Sequence, residues 1–350
     1  MREVNPKRLI EELKINAEIG TPSMVWGPPG VGKSDVAYQL ADELGAEMCE
    51  VRANLFDPID VRGGLKIIED TERPGCYKTV YGIPEDYPPM DSDKRWVLFI
   101  DELPNANKAT QNALLQLLLN HRIGTYELPK DTVIVAAGNR AEDRAAVHDM
   151  PTPVANRFAH FVLNPQVEPW IEWAIQNDID DRLISFIRFK GHDSLHNMGE
   201  NHTIKAFPSP RTWAFVDRRI KYINAPGKDL DGMASLVGIG PAQEFCAFMD
   251  MVDTLPDIDD VIKRPKQAPV PTKSDVRYAL VGALSARSGE KNFDDIMTYI
   301  CRIDSPEFQV AFVKDTVLRA KAKSQTGTPD WISQSQKFLD WIDDNQDVLY

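Results

Sequence analysis

Hydrophobic positions in the first 164 residues fall into two patterns. Short, mainly apolar runs occur at 23–26, 47–51, 96–100, 132–137 and 158–163 and read as strands, the continuous run at 96–100 being what a strand buried on both faces requires. Between them, apolar residues recur at helical spacing: Leu9, Ile10, Leu13 and Ile19 after an Asn5-Pro6 start, Val36, Ala37, Leu40, Ala41 and Leu44, and Ala113, Leu114, Leu117 and Leu118 within 107–120. This alternation predicts an α/β domain with a parallel five-stranded core sheet over residues 1–164.

Two hairpins interrupt it. One joins 65–69 to 76–81 around Arg73-Pro74-Gly75, after a stretch (54–64) too rich in turn formers for a long helix, and a proline-rich loop (83–90) follows it. The other spans 122–128 around Gly124. From residue 165 the strand pattern stops, and 165–350 reads as an all-α domain. Ser209-Pro210-Arg211 opens one helix, with Trp213, Val216 and Ile220 on one face. Further amphipathic helices are expected at 275–288, 292–303, 306–322 and 333–344, with 254–271 read as a loop or linker.

Composition narrows the setting. At 350 residues and 43% hydrophobic, the chain can bury two cores. No apolar run approaches the roughly 20 residues of a membrane span, and the N-terminus lacks the apolar core of a signal peptide. The four cysteines are far apart and form no C-x-x-C pair, so neither a zinc site nor a disulfide framework is indicated and a reducing cytoplasm is the expected setting. A formal net charge of −13 disfavours broad, sequence-independent nucleic-acid binding, which depends on neutralising phosphates. A local basic pore is compatible with that charge.

The chemistry is concentrated in a few places. Gly27-Pro28-Pro29-Gly30-Val31-Gly32-Lys33-Ser34 fits G-x-x-x-x-G-K-[ST] at every fixed position, between a predicted strand and a helix that continues through Asp35. Such a loop wraps phosphates in backbone N–H groups, with Lys33 reaching the β- and γ-phosphates and Ser34 offering its hydroxyl to Mg²⁺. The strand ending at Ile100 leads into Asp101-Glu102, expected to hold Mg²⁺ and to take a proton from the attacking water, respectively. Asn139, at the end of another strand, is placed to orient that water. Arg157 is the candidate for a cation reaching a neighbouring subunit's γ-phosphate, with Arg140 and Arg144 as alternatives. Arg211 lies in the first turn of its helix, where the macrodipole disfavours a cation and a bound phosphate would reverse the sign.

In this order the residues resemble an AAA+ ATPase, and more narrowly the MoxR branch, whose helix-2 insert and pre-sensor-1 hairpin match the two predicted hairpins. The resemblance covers residues 1 to about 225. It makes Gly27–Ser34 Walker A, Val97–Glu102 Walker B, Asn139 sensor 1 and Arg211 sensor 2. It implies a P-loop NTPase followed by an all-α lid and extra C-terminal helices, which either complete the lid or add a docking module. It further implies a hexameric ring with MgATP between subunits, Arg157 acting in trans and Arg211 in cis. Such rings remodel protein partners in a chaperone-like way, often partners with von Willebrand factor A domains, and compact versions resemble ATPases carried by phages and prophages. An ATP-driven nucleic-acid motor or loader is the alternative, and a nucleotide-gated scaffold with little turnover is a third reading.

Overall fold

The five apolar runs become neighbours in one parallel sheet. The structure, a computed structural model, describes residues 3–140, 143, 150–199, 205–252, 254–324 and 328–345. Its chain divides into two units, Met1–Asn164 and Pro165–Tyr350. The first contains β1 (Glu3–Val4), α1 (Pro6–Glu18), β2 (Ser23–Trp26), α2 (Lys33–Leu44), β3 (Glu47–Arg52), α3 (Pro58–Arg62), β4 (Leu65–Glu69), β5 (Tyr77–Tyr81), β6 (Trp96–Asp101), α4 (Lys108–Asn120), β7 (Arg122–Ile123), β8 (Tyr126–Glu127), β9 (Thr132–Gly138), α5 (Thr152–Ala155) and β10 (Ala159–Leu163).

The sheet runs β1-β10-β2-β9-β6-β3, with every neighbouring pair parallel. It therefore has six strands, not five. The added strand, β1, is a two-residue edge paired to β10 through Glu3–Val162 and Val4–Leu163, too short to leave a periodic signal. Alternation within the apolar runs divides the core between two faces. Val25, Val97, Phe99, Val133 and Val135 meet Leu9, Leu13, Val36 and Leu40 of α1 and α2. Met24, Leu98, Ile100, Ile134 and Ala136 meet Ala113, Leu114 and Leu117 of α4.

Both hairpins form, and they are tied together. The amide of Gly82 donates to the Gly64 carbonyl at 2.8 Å, closing the base of β4–β5. Thr125 Oγ1 donates to the Tyr81 carbonyl at 3.1 Å, and Tyr126 Oη to that of Pro88 at 2.7 Å. Tyr87 stacks on Tyr126 with centroids 5.3 Å apart. The turn of the second hairpin places Gly124 at φ 56°, and a Cβ there would come within 3.1 Å of the Tyr81 ring. The two hairpins thus share one base.

The second unit is helical: α6 (Val167–Gln176), α7 (Asp181–Lys190), α8 (His192–Leu195), α9 (Pro210–Tyr222), α10 (Leu230–Val237), α11 (Ile239–Val252), α12 (Ile258–Lys263), α13 (Ser274–Arg287), α14 (Phe293–Ile300), α15 (Pro306–Lys323), α16 (Asp330–Ser333) and α17 (Gln336–Asp344). Helix α12 lies inside the stretch expected to be loop. Its flanking prolines masked it, but Asp257 caps it by accepting from the Asp259 amide, and Val261 is buried. The helix expected over 333–344 is split, because the Ser335 side chain caps α17 by accepting from the Phe338 amide. The rings of Phe186, Trp213 and Phe245 pack with centroids 5.2–5.7 Å apart in one core. A second core gathers residues of α12 to α17.

The C-terminal helices are joined to the rest of this unit by buried charge. Arg188 of α7 makes a two-point ion pair with Asp315 of α15 at 2.6 and 2.7 Å, with side chains 9% and 1% exposed. Arg319 of α15 also pairs with Asp181 at the start of α7. Removing one member of such a pair strands a charge in the interior, whereas replacing both by apolar groups does not. Asp315→Ala is therefore expected to lower stability by about 3–5 kcal/mol in urea denaturation followed by far-UV circular dichroism. The double variant Arg188→Met/Asp315→Leu should recover most of that loss.

Candidate functional site

Because β9 lies between β2 and β6, the carboxyl ends of three strands open side by side, where ligands of parallel sheets bind. After β2 the chain must turn sharply into α2. Gly30 at φ 78° and Gly32 at φ 101° supply the left-handed backbone for it, and Gly32 is the N-cap of α2. Gly27 meets a different constraint: a Cβ there would lie 2.4 Å from the carbonyl oxygen of Leu163. Pro28, Pro29 and Val31 complete the loop, Ser34 occupies the first turn of α2 half-buried, and Asp35 is exposed beside it. The N-terminus of α2, with its first-turn N–H groups and positive dipole end, follows directly from this loop.

The Lys33 ammonium joins the loop to its neighbour strand. It donates to the carbonyls of Gly27 at 2.7 Å and Pro28 at 3.1 Å, and to Oδ1 of Asn139 at 2.8 Å. Asn139 directly follows β9, whose Gly138 pairs with Trp26 and accepts from the Gly27 amide at 3.2 Å. Residues 106 positions apart are thereby brought into direct contact.

Asp101 ends β6. Burial pushes its carboxyl above the usual carboxylate range, opposed by the hydrogen bond from the Glu102 amide and by the Lys33 charge. A cation at this carboxylate would offset the burial. Among the described residues no group of three or more His, Cys, Asp or Glu is arranged to hold a metal. One hydroxyl, Ser34, and one carboxylate, Asp101, match an Mg²⁺ that takes its other ligands from phosphates and water.

Glu102 adopts φ 54°, ψ 32°, a left-handed conformation costing about 1–2 kcal/mol for a non-glycine residue. Asp101 Oδ1 offsets part of it by accepting from the Glu102 amide at 2.9 Å. The twist turns the Glu102 carboxylate toward Asn54, whose Nδ2 donates to Oε2. The sequence reading missed Asn54. Its signal lay in strand order: β3 and β6 pair in register through Arg52–Asp101, so a polar residue just past β3 must lie near Glu102. Thr110 and Gln111 of α4 fix both partners, Thr110 Oγ1 donating to the Phe56 carbonyl at 2.8 Å and Gln111 Nε2 to that of Ala106 at 2.9 Å.

The arginine candidates separate. Arg140 is paired with Asp143, with its guanidinium on both carboxylate oxygens at 3.0 and 2.8 Å. Arg144 lies outside the described residues. Arg157, just past α5, is exposed, with no side-chain hydrogen bond or ion pair among the described residues. Arg211 belongs to the second unit, also exposed, in the first turn of α9. Ser209 caps that helix, exchanging hydrogen bonds with Thr212 in a capping box.

Comparison with known proteins bears on the first unit. Residues 22–158 match the family described as "AAA domain (dynein-related subfamily)". Replication-associated recombination protein A of Haemophilus influenzae is 23% identical over 156 residues, 45% of this chain and 28% of that protein. The chain thus aligns with little more than a quarter of that relative's length. Among solved structures, the RuvB Holliday junction branch migration motor of Thermotoga maritima is similar at 17% identity, over 81% of this chain and 80% of that one, with a TM-score of 0.40. NtrX of Brucella abortus is similar at 15% identity, over 90% of this chain and 64% of that one, with a TM-score of 0.39. The family match spans the phosphate loop, the Asp101-Glu102 strand and the Asn139 strand, and the chain has the AAA+ P-loop α/β fold.

Proposed function

We propose that the chain is a MoxR-like ATPase that binds MgATP between subunits of a ring, hexameric in the resembling family, and uses its hydrolysis to remodel a separate protein partner. The observation that carries the ATPase reading is the convergence of Lys33, Asn139, Asp101 and Glu102 at the carboxyl ends of three adjacent strands. Mg²⁺ would supply charge neutralisation when bound. Gly27 to Ser34 cradle the phosphates with backbone N–H groups, Asp35 continuing the helix behind them. Lys33 exchanges its carbonyl and Asn139 contacts for phosphate oxygens. Ser34 and Asp101 hold the metal. Glu102, released from Asn54, accepts a proton from water that Asn139 helps to orient. Arg157 acts on the nucleotide of the neighbouring subunit and Arg211 on that of its own, both offsetting charge on the γ-phosphoryl group.

The partner reading rests on the first hairpin. Cross-strand neighbours share a face, so Leu65, Ile67, Thr79 and Tyr77 lie on one side of β4–β5 with Glu69 as its single charge. Leu65, Ile67 and Tyr77 are 63%, 72% and 75% exposed. Of the hairpins' cations, Lys78 faces Asp70 at 3.4 Å and Arg122 faces Glu127 at 3.7 Å, while Lys66 and Arg73 are exposed with no ion pair among the described residues. An exposed apolar face with one acidic charge suits a polypeptide rather than a phosphate backbone. The family resemblance makes a chain with a von Willebrand factor A domain the first candidate.

Three outcomes are expected. Lys33→Ala should abolish ATP binding in calorimetry, while Glu102→Gln should retain it and lose about 100-fold or more of turnover. Equal turnover in Glu102→Gln and the unmodified protein would favour the scaffold reading. Asn54→Ala should raise basal turnover by about threefold to tenfold, the net worth of one solvent-exposed hydrogen bond. Ile67→Asp/Tyr77→Asp should leave basal turnover unchanged and abolish stimulation by the protein partner. Stimulation by DNA or RNA that falls steeply with salt would favour the motor instead.

A further inference from the structure

His160 connects the phosphate loop to the turn that carries Arg157. The indole Nε1 of Trp26, the residue before Gly27, lies 2.9 Å from His160 Nδ1. An indole nitrogen only donates, so Nδ1 is the acceptor and the ring proton of a neutral His160 sits on Nε2. That nitrogen is 2.8 Å from the carbonyl of Ala155, to which it donates. One neutral tautomer therefore uses both ring nitrogens.

The Ala155 carbonyl lies inside the Arg157 turn. It also accepts from the Phe158 amide at 3.2 Å, while the Arg157 amide donates to Val154 at 3.1 Å. Val154 is fully buried and Phe158 8% exposed, and the Phe158 ring meets His160 edge-on at 6.3 Å. The backbone on either side of Arg157 is thus anchored, while its guanidinium projects with no partner among the described residues. Trp26 and His160 sit on adjacent strands, β2 and β10. A shift in the loop after β2 would reach the turn after α5 through two hydrogen bonds.

We propose that His160 is a positioning residue: in its Nε2-protonated tautomer it holds the Arg157 turn in register with the phosphate loop of the same subunit. This rests on the reading of Arg157 as the cation acting on the neighbouring subunit's nucleotide. On that reading, the state of one nucleotide site is passed to the finger presented to the next.

Two measurements on the full-length protein test it. His160→Phe keeps an aromatic ring and removes both hydrogen bonds. Hydrogen exchange at the amides of Arg157 and Phe158 should rise about tenfold or more in this variant, with exchange across the phosphate loop unchanged; unaltered exchange at the turn overturns the tie itself, whatever Arg157 does. For catalysis, Arg157→Ala should lower kcat by about 1,000-fold or more. His160→Phe should lower it by about 10–100-fold, the scale of an ångström misplacement, with the Kd for ATP unchanged. Combined with Arg157→Ala it should add no further loss. An undiminished loss in the double variant, or no loss in the single one, overturns the positioning role. A kcat untouched by Arg157→Ala removes the finger reading instead and leaves hydrogen exchange to decide the tie. Should His160→Phe fail to fold, Trp26→Phe removes only the indole donor. Hydrogen exchange at the amides of Arg157 and Phe158 should then rise by about threefold or more, and unaltered exchange at the turn overturns the proposal.

Discussion

The Lys33 ammonium needs acceptors, and the way it finds them organises the first unit. A half-buried cation is tolerable only when hydrogen-bonded. Two of its acceptors are carbonyls of its own loop and the third is Asn139, at the end of the neighbouring strand. That contact requires β9 beside β2, which in turn requires the β6 strand to lie one place further out. Insertion of β9 between them brings the loop, the Asp101-Glu102 pair and Asn139 to one edge of the sheet. The apolar runs serve this arrangement, since strands covered on both faces leave only their ends for chemistry.

Around that edge, parts distant in sequence are linked by few but specific contacts. Helix α4 fixes the segments bearing Asn54 and Glu102 at its start and leads at its end into the second hairpin. That hairpin is bound to the first through Thr125 and Tyr126. A displacement of either hairpin therefore loads the same helix that positions the acid. In the second unit, the Arg188–Asp315 pair makes the C-terminal helices part of one packed body with α7.

Most of the sheet and the loop was legible in the sequence because the signals are contiguous. Gly27 to Ser34 is a single run, and Asp101-Glu102 and Asn139 each end an apolar strand. What was not legible depends on register or on very short elements. β1 has two residues and cannot show a period. α12 was hidden because prolines on both sides outweighed a single cap and a single buried valine. Asn54 becomes visible only when β3 is placed against β6, and His160 only when β10 is placed against β2. Arg140 carries a local signal, an aspartate three residues on, that its reading as a finger did not use.

The proposed ATP-driven action on a protein partner is best tested by capture with Glu102→Gln. The variant would be isolated with ATP from the native host, and protein and nucleic acid recovered together. The expected result is one enriched protein, retained only with ATP and lost when Lys33→Ala or Ile67→Asp/Tyr77→Asp is introduced. Nucleic acid recovered in the same ATP-dependent manner, with no protein enriched, would contradict the remodelling reading and make the chain a motor on nucleic acid.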